Sequence, residues 1–210
     1  MPTTPRWSVV VPVKRPEVAK TRLADVAGAR RADLARAFAA DTVAAALACP
    51  NVGDVVVVTD DAQIAADVSA VGALVVADEP AAGLNAALRH GADLVRRRNP
   101  EGYVAALSAD LPALRPGELA TTLQAAAAHA VSFVGDAAGI GTTLYAVTRA
   151  EVFHPRFGGR SRAAHRADGA VELTVPDTPS VRRDVDTAVD LWDAMRLGVG
   201  PRTAEVVAQI

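Results

Sequence analysis

Residues 54–78, DVVVVTDDAQIAADVSAVGALVVAD, contain the pattern that determines the fold. Four consecutive valines, Val55–Val58, are followed by an alanine-rich stretch typical of a helix and then by a second apolar run. The valine run shows no alternation of apolar and polar residues, as expected for a parallel strand that is buried on both faces. Strand, helix and strand in this order predict a βαβ unit.

The same alternation continues in both directions along the chain. The apolar run WSVVVPV precedes the helical stretch RADLARAFAADTVAAALA, and YVAALSAD precedes GELATTLQAAAAHA. Repeated βαβ units predict an α/β fold, in which a mostly parallel sheet is covered by helices on both faces. Because no linker or repeat interrupts the pattern, we expect residues 1–210 to form a single domain.

The composition argues against several functional classes. A formal net charge of -2 with 4% aromatic residues does not fit a nucleic-acid-binding protein, which needs a basic face with stacking aromatics. Cys49 is the only cysteine, so an intrachain disulfide and a thiolate metal cluster are excluded. No apolar run approaches the ~20 residues that span a membrane, and the N-terminal strand lacks the layout of a cleavable signal. We therefore expect a cytoplasmic protein without a membrane partner.

Charged residues follow the predicted strands. Ligands of open parallel sheets bind beyond the carboxyl ends of the strands, near a switch in strand order. The first predicted strand ends at Lys14, and the later ones end at Asp60, at Asp78, at Asp110 and at the pair Asp184–Asp186. One rim of the sheet is thus predicted to collect cations and carboxylates, the groups that hold a polyphosphate and its Mg²⁺.

The loop after the first strand, VPVKRPEVAKTRLA (residues 11–24), is cationic and contains no glycine. Lys14 and Lys20 are the only lysines among 22 basic residues, and an ammonium suits phosphate as a compact point charge. Together with Arg22 they are candidate nucleotide-binding residues; the alternative is a solvated basic loop. The chain lacks G-x-x-x-x-G-K-[ST], G-x-G-x-x-G after the first strand and G-x-S-x-G, which excludes the corresponding phosphate loops and the hydrolase elbow.

Two acidic motifs are candidate metal ligands. Asp110, in SADLPAL, either binds a metal or accepts hydrogen bonds within a turn. In RRDVDTAVDL, Asp184 and Asp186 precede a predicted helix, and Thr187 with Asp190 has the pattern of a capping box. Asp186 either binds metal or caps the helix. Magnesium bound to a nucleotide takes one or two protein carboxylates, so one acid from each motif would suffice.

Three further segments have both a functional and a structural interpretation. Asn85 either caps a helix or reads a base or sugar hydroxyl. The glycines of GIGTT (residues 139–143) let backbone N–H groups approach an anion. The segment HPRFGGRSRAAHR (residues 154–166) is either an exposed polar loop or an anion-binding lid, with backbone access at Gly158 and a hydroxyl at Ser161. Its two histidines, His154 and His165, are not at metal-ligand spacing, and we interpret them as structural or loop residues.

The motifs VPVK…AKTRLA, DLPAL, HPRFG and DVDT resemble those of the phosphoenolpyruvate and 2-phospho-L-lactate guanylyltransferases, a family of coenzyme F-420 biosynthesis. The resemblance covers nearly the whole chain. It implies a nucleotide-diphospho-sugar transferase-like (Rossmann-like) three-layer sandwich with a mixed sheet of about seven strands. It also implies GMP transfer from GTP to a phosphorylated three-carbon acid, with Mg²⁺ as cofactor and release of pyrophosphate.

The resemblance assigns roles to individual residues. By motif, the metal ligands would be Asp110 and Asp184, while Asp186 is a further candidate from its own acidic motif. In such a reaction Lys14, Lys20 and Arg22 would neutralise the triphosphate of GTP by their charge. Asn85 stays the candidate for the base or sugar. The acceptor contacts would be Thr142 or Thr143, Gly158 and Ser161.

The acceptor that the resemblance ranks first is phosphoenolpyruvate, with 2-phospholactate and 3-phosphoglycerate as alternatives, because all three carry a phosphate and a carboxylate. A transient hand-off of the product to the next transferase of the pathway is expected. The competing interpretation of another class is a nucleotide-binding regulatory module without catalytic activity.

Overall fold

The computed structural model describes residues 6–14, 23, 28–79, 81–149 and 152–210. The strands are Trp7–Pro12 (β1), Val52–Val58 (β2), Leu74–Val76 (β3), Tyr103–Leu107 (β4), Val131–Gly135 (β5), Thr142–Val147 (β6) and Val171–Glu172 (β7). The helices are Arg31–Leu47 (α1), Ala62–Ala70 (α2), Leu84–Arg98 (α3), Pro116–Ala126 (α4), Ser161–Ala167 (α5), Pro179–Arg182 (α6), Ala188–Leu197 (α7) and Pro201–Val207 (α8). A 3-10 turn at Gly28–Arg30 leads into α1.

The seven strands form one sheet in the order β3-β2-β1-β4-β6-β5-β7. Strand β1 pairs in parallel with β2 and β4, and β2 pairs in parallel with β3. Strand β6 runs antiparallel to both β4 and β5, while β5 and β7 are parallel. The predicted mostly parallel, mixed sheet is confirmed. The chain adds strands on one side of β1 and then continues with β4 on the other side, so the strand order reverses between β1 and β4.

Apolar side chains fill both faces of the sheet, as the valine runs predict. On one face, Val9 and Val11 of β1 pack with residues of α1, α2 and α4; on the other face, Val10 packs with residues of α3. Helix α3 lies very close to the sheet at Gly91, where an added Cβ would stand 2.6 Å from Cγ1 of Val10. The three-layer arrangement is therefore confirmed.

The prediction that a late strand ends at Asp184–Asp186 is wrong. This segment lies between α6 and α7, and the last strand of the described chain, β7, ends at Glu172. Pro179 occupies the first turn of α6, where its fixed φ favours a helix over a strand. Val181 is fully buried within α6, and Val185 is fully buried in the loop that follows it.

None of the helices in the described ranges is long and apolar enough to cross a membrane.

Candidate active site

A cleft of about 240 Å³ opens at the carboxyl ends of β1 and β4, where the strand order reverses. Lys14 enters it from the end of β1, Asp110 from the end of β4 and Asp186 from the loop before α7. Phe38, Leu84 and other apolar side chains complete its walls. Lys14 and Asp186 are exposed, and Asp110 is half-buried. One ammonium and two carboxylates therefore line a single cavity at the position where α/β sheets bind ligands.

The two acidic motifs are joined through their backbones. The amide of Val185 donates to the carbonyl of Asp110 at 3.0 Å, and the amide of Gly200 donates to the carbonyl of Pro112 at 2.8 Å. These bonds place the residues on either side of Val185 next to the end of β4. The tertiary structure thus brings together acids that are more than 70 positions apart in the chain.

Asp186 is not the cap of α7. The N-cap is Thr187, whose hydroxyl accepts from the amide of Asp190, while Asp190 Oδ2 accepts from the amide of Thr187 at 2.8 Å. The predicted capping box is confirmed, and the capping interpretation of Asp186 is wrong because Thr187 already holds that position. The Asp186 side chain lies at the cleft instead.

The other acids that follow the strands lie away from this cleft. Asp60 Oδ1 accepts from the backbone amide of Asp78 at 2.9 Å, so these two join the ends of β2 and β3. Asp184 is half-buried and does not line the cleft, and its role as a metal ligand stays a prediction. Within the described ranges no group of three His, Cys, Asp or Glu side chains could hold a metal ion. Lys20 and Arg22 lie outside the described residues.

Asn85 connects α3 to the segment that follows β6. Its amide nitrogen donates to the carbonyl of Phe157 at 2.9 Å, and its oxygen accepts from the amide of Phe157 at 2.8 Å. It does not cap α3, because the N-cap is Gly83. The paired donor and acceptor that suggested recognition of a base are thus used on the backbone N–H and C=O of Phe157, and contact with a nucleotide stays a prediction.

His165, in α5, is fully buried and organises the same region. Its Nε2 accepts from the amide of Arg156 at 2.9 Å, so the proton of the neutral ring lies on Nδ1, which donates to Thr142 Oγ1 at 3.0 Å. The ring stacks on Tyr145, with centroids 4.8 Å apart. Burial lowers the pKa of His165 from 6.5 to about 4, with smaller effects from Asp168 and Arg156. Its interpretation as a structural residue agrees with these contacts.

The predicted acceptor residues lie around this histidine. Ser161 begins α5 and is buried, one helical turn before His165. Gly158 and Gly159 have φ of 108° and 46°, values that disfavour any residue with a Cβ. The two candidate threonines differ, because the hydroxyl of Thr142 contacts His165 whereas that of Thr143, also buried, has no partner among the described residues. The Thr143 carbonyl accepts from the amide of Ser108, a cleft residue, at 2.8 Å.

Most arginines of the predicted lid form internal ion pairs. Arg156 contacts Asp168 at 2.7 Å, and Arg162 contacts Glu172 at 2.8 Å. Arg166 pairs with the other oxygen of Glu172. Although burial acts to raise the pKa of Glu172, the two guanidinium groups outweigh it and hold that pKa below its usual value. Arg160 is exposed, and no ion pair of its side chain occurs within the described part of the chain.

The glycine-rich turn before β6 binds an anion of the protein itself. The amides of Ile140 and Gly141 donate to the two carboxylate oxygens of Asp136, at 2.8 and 2.7 Å. A Cβ at Gly141 would lie 2.5 Å from Asp136 Oδ2, so any other residue there would displace the carboxylate. The sequence indicated an anion at this turn but not its identity; an acid three residues before the first glycine was the available signal.

Comparison with known proteins identifies the family. Residues 7–210 match the family described as "Guanylyl transferase CofC like". A relative from Streptomyces coelicolor, named phosphoenolpyruvate guanylyltransferase, is 59% identical over 98% of this chain and 97% of its own. A relative of the same name from Thermomonospora curvata is 58% identical over 97% of this chain and 90% of its own.

Solved structures show the same fold at low sequence identity. A protein of Desulfovibrio desulfuricans G20 assigned to the nucleotide-diphospho-sugar transferases has a TM-score of 0.71 at 20% identity, covering 98% of both chains. A nucleotidyl transferase from Methanothermobacter has a TM-score of 0.60 at 20% identity, covering 91% of this chain and 97% of its own. The fold is therefore that of the nucleotide-diphospho-sugar transferases, and the chain belongs to the CofC-like guanylyl transferase family.

Proposed function

We propose that this protein transfers GMP from GTP to phosphoenolpyruvate, giving enolpyruvyl-diphospho-5'-guanosine and pyrophosphate. The observation that carries the proposal is the grouping of Lys14, Asp110 and Asp186 in one cleft at the switch point of the sheet. Family membership supports the guanylyl group, and the names of the relatives support phosphoenolpyruvate as acceptor.

The nucleotide is proposed to lie with its phosphates at the end of β1. Lys14 extends into the cleft there and would neutralise phosphate oxygens as a point charge. The cationic sequence of residues 11–24 adds Lys20 and Arg22 as candidates for the same role. The apolar wall of the cleft, which includes Phe38 and Leu84, would cover the nucleoside.

The chain offers a ligand set that fits Mg²⁺. Asp110 and Asp186 supply two carboxylates on one cleft, and Mg²⁺ bound to a nucleotide takes one or two protein carboxylates with phosphate oxygens and water. When bound, the ion would supply charge stabilisation for the phosphate oxygens. Asp184, two residues from Asp186, is a further candidate on the grounds of resemblance alone.

The acceptor is proposed to lie against the start of α5 and the start of β6. Gly158 would offer backbone access, and Ser161 a hydroxyl. Of the two threonines, Thr143 has the hydroxyl without a partner among the described residues, whereas that of Thr142 is engaged by His165. Arg160 is the cation of this segment that we assign to the acceptor carboxylate.

The reaction requires positioning rather than a protein base. A phosphate monoester is largely doubly ionised near neutral pH, since its second pKa is about 6. One of its oxygens would attack the α-phosphorus of GTP, forming a new P–O bond as the bond to the pyrophosphate oxygen breaks. Phosphoryl-type transfer depends mainly on in-line placement and on neutralising charge. Lys14 would neutralise charge together with a cation held by Asp110 and Asp186, and the α5 segment would place the acceptor in line.

The test is pyrophosphate release with GTP and each of three acceptors, phosphoenolpyruvate, 2-phospholactate and 3-phosphoglycerate, with and without Mg²⁺. We expect release with phosphoenolpyruvate and only in the presence of the metal. Pyrophosphate release with 2-phospholactate or 3-phosphoglycerate instead would identify that acid as the acceptor. GTP binding without pyrophosphate release for any acceptor would favour a regulatory module. Hand-off of the product, the cytoplasmic location and the single-domain organisation remain predictions.

A further inference from the structure

We infer that Thr42, in the middle of α1, is a positioning residue for Asp110. This inference rests on the proposed function, because it assigns Asp110 to the metal. Thr42 does not line the cleft and touches no proposed substrate site. It acts through the backbone of the loop that carries Asp110.

The hydroxyl of Thr42 bridges α1 and this loop. It donates to the carbonyl of Phe38 at 2.7 Å, which leaves its lone pairs for the amide of Leu111, donating at 3.1 Å. The carbonyl of Ala109 lies 3.3 Å from the same oxygen and is the alternative acceptor for its single proton. The contacts therefore reach the residues immediately before and after Asp110.

Both ends of this bridge are buried. Thr42 and Leu111 have no exposed surface, so an unpaired Leu111 amide could not be satisfied by water in place. The loop would have to move to find another partner for that amide. Such a movement would displace Asp110 from its place in the lining of the cleft, which it shares with Asp186.

Two further bonds hold the loop, but both come from backbone amides. Val185 donates to the Asp110 carbonyl and Gly200 to the Pro112 carbonyl. Of the groups of Thr42, Val185 and Gly200 that bind the backbone of residues 109–112, only the Thr42 hydroxyl belongs to a side chain. It is therefore the contact that a substitution can remove without altering the main chain.

Thr122 provides a matched control. It is also fully buried, lies within α4 and donates to the carbonyl four residues earlier, that of Glu118, at 2.8 Å. Its hydroxyl makes the same type of helix bond as Thr42 without the bridge to a loop. Thr122→Val thus reproduces the loss of a buried hydroxyl, while the Asp110 loop stays held.

The first measurement is hydrogen exchange of the free protein, followed in peptides that cover residues 104–114. We expect Thr42→Val to raise exchange at Leu111 at least about tenfold, because the amide loses its acceptor, and Thr42→Ser and Thr122→Val to leave it near the wild-type rate. Unchanged protection of Leu111 in Thr42→Val would overturn the inference.

The second measurement is binding of Mn²⁺·GTP, followed by electron paramagnetic resonance without any acceptor. Thr42→Val is expected to raise the dissociation constant roughly tenfold, as for other residues that orient a metal ligand. GTP binding in the presence of EDTA should stay unchanged, and Thr42→Ser should restore the wild-type constant. Equal weakening by Thr122→Val would show a general effect of stability and would also overturn the inference.

The design separates this inference from the proposed function. A wild-type protein that does not bind Mn²⁺·GTP contradicts the proposed function itself. A wild-type protein that binds it while Thr42→Val binds equally well contradicts only the role of Thr42. If Thr42→Val does not fold, Thr42→Cys tests the same point, because a thiol of similar size is a weak acceptor; it should weaken Mn²⁺·GTP binding, and wild-type affinity would reject the inference.

Discussion

The two halves of the candidate site are built differently. At the ends of β1 and β4, the side chains of Lys14, Asp110 and Asp186 line an open cleft and carry exposed or half-exposed charge. Around α5, the side chains of Asn85 and His165 are hydrogen-bonded to backbone groups and to a threonine hydroxyl. The first half is suited to bind by charge and the second by shape. A triphosphate with a metal offers charge, whereas a small acid must be aimed at one phosphorus atom.

The largest expected effect is on the charged half. Asp110→Asn and Asp186→Asn should each lower kcat roughly 10²- to 10³-fold, because each removes a carboxylate that would hold the metal. Steady-state pyrophosphate release over a range of Mg²⁺ concentrations measures this. Asp193→Asn is the matched control, since this acid of α7 pairs with Arg183 at 3.3 Å and does not line the cleft. Near-normal turnover of Asp186→Asn would place the metal elsewhere.

The second prediction concerns the stability of the region around α5. Since the pKa of His165 is about 4 in the folded protein and 6.5 ordinarily, the unfolded state binds the proton more tightly. The contribution of His165 to the free energy of unfolding should therefore be constant above about pH 6.5, fall by about 3 kcal/mol in all between there and pH 4, and be constant again below.

Urea unfolding at a series of pH values measures this slope, and His165→Gln should remove that part of it. His154→Gln, at an exposed histidine of the same segment, should retain the wild-type slope. A wild-type slope in His165→Gln would assign the acid sensitivity to other groups.

A third experiment separates the substrates of the two halves. Lys14→Ala should raise the KM for GTP, and Ser161→Ala should raise the KM for phosphoenolpyruvate, each by up to roughly tenfold for one lost bond to a charged group. The two effects should be separable because the departing β- and γ-phosphates of GTP lie on the opposite side of the α-phosphorus from the attacking oxygen. Initial rates with one substrate varied at a time decide the matter, and the reverse pattern would exchange the assignments of the two halves.

The smallest effect is expected at Arg160. Because the residue is exposed, Arg160→Gln should raise the KM for phosphoenolpyruvate only about two- to threefold and leave the KM for GTP unchanged. Arg166→Gln, which removes a neighbouring arginine that pairs with Glu172, serves as the control. Equal effects of the two substitutions would indicate that the whole segment contributes a general positive field rather than one contact.

Local pattern was sufficient for much of the fold and of the charged half. The valine runs and the acid after YVAAL placed β1, β2, β4 and Asp110 correctly, since burial on both faces and the switch-point rule act through neighbours in the chain. The pattern failed at Asp184–Asp186, where two buried valines resemble part of a strand, although Val181 lies in α6 and Val185 in the loop after it. The pattern also did not decide whether Asp186 or Thr187 caps α7; the hydrogen bonds between Thr187 and Asp190 show that it is Thr187.

The sequence by itself determined the layered α/β class, the resemblance to guanylyltransferases and which side chains carry the charge, because periodicity and motifs depend on residues close together in the chain. Only the tertiary structure decided that Asp186 and Asp110 line one cleft, that Asn85 pairs with the backbone of Phe157 and that the Thr42 hydroxyl accepts from the amide of Leu111. Each of these depends on one hydroxyl, amide or carboxylate meeting a partner about 70 residues away. Such pairings leave no periodic signal, since they are set by how helices and loops pack after the sheet has formed.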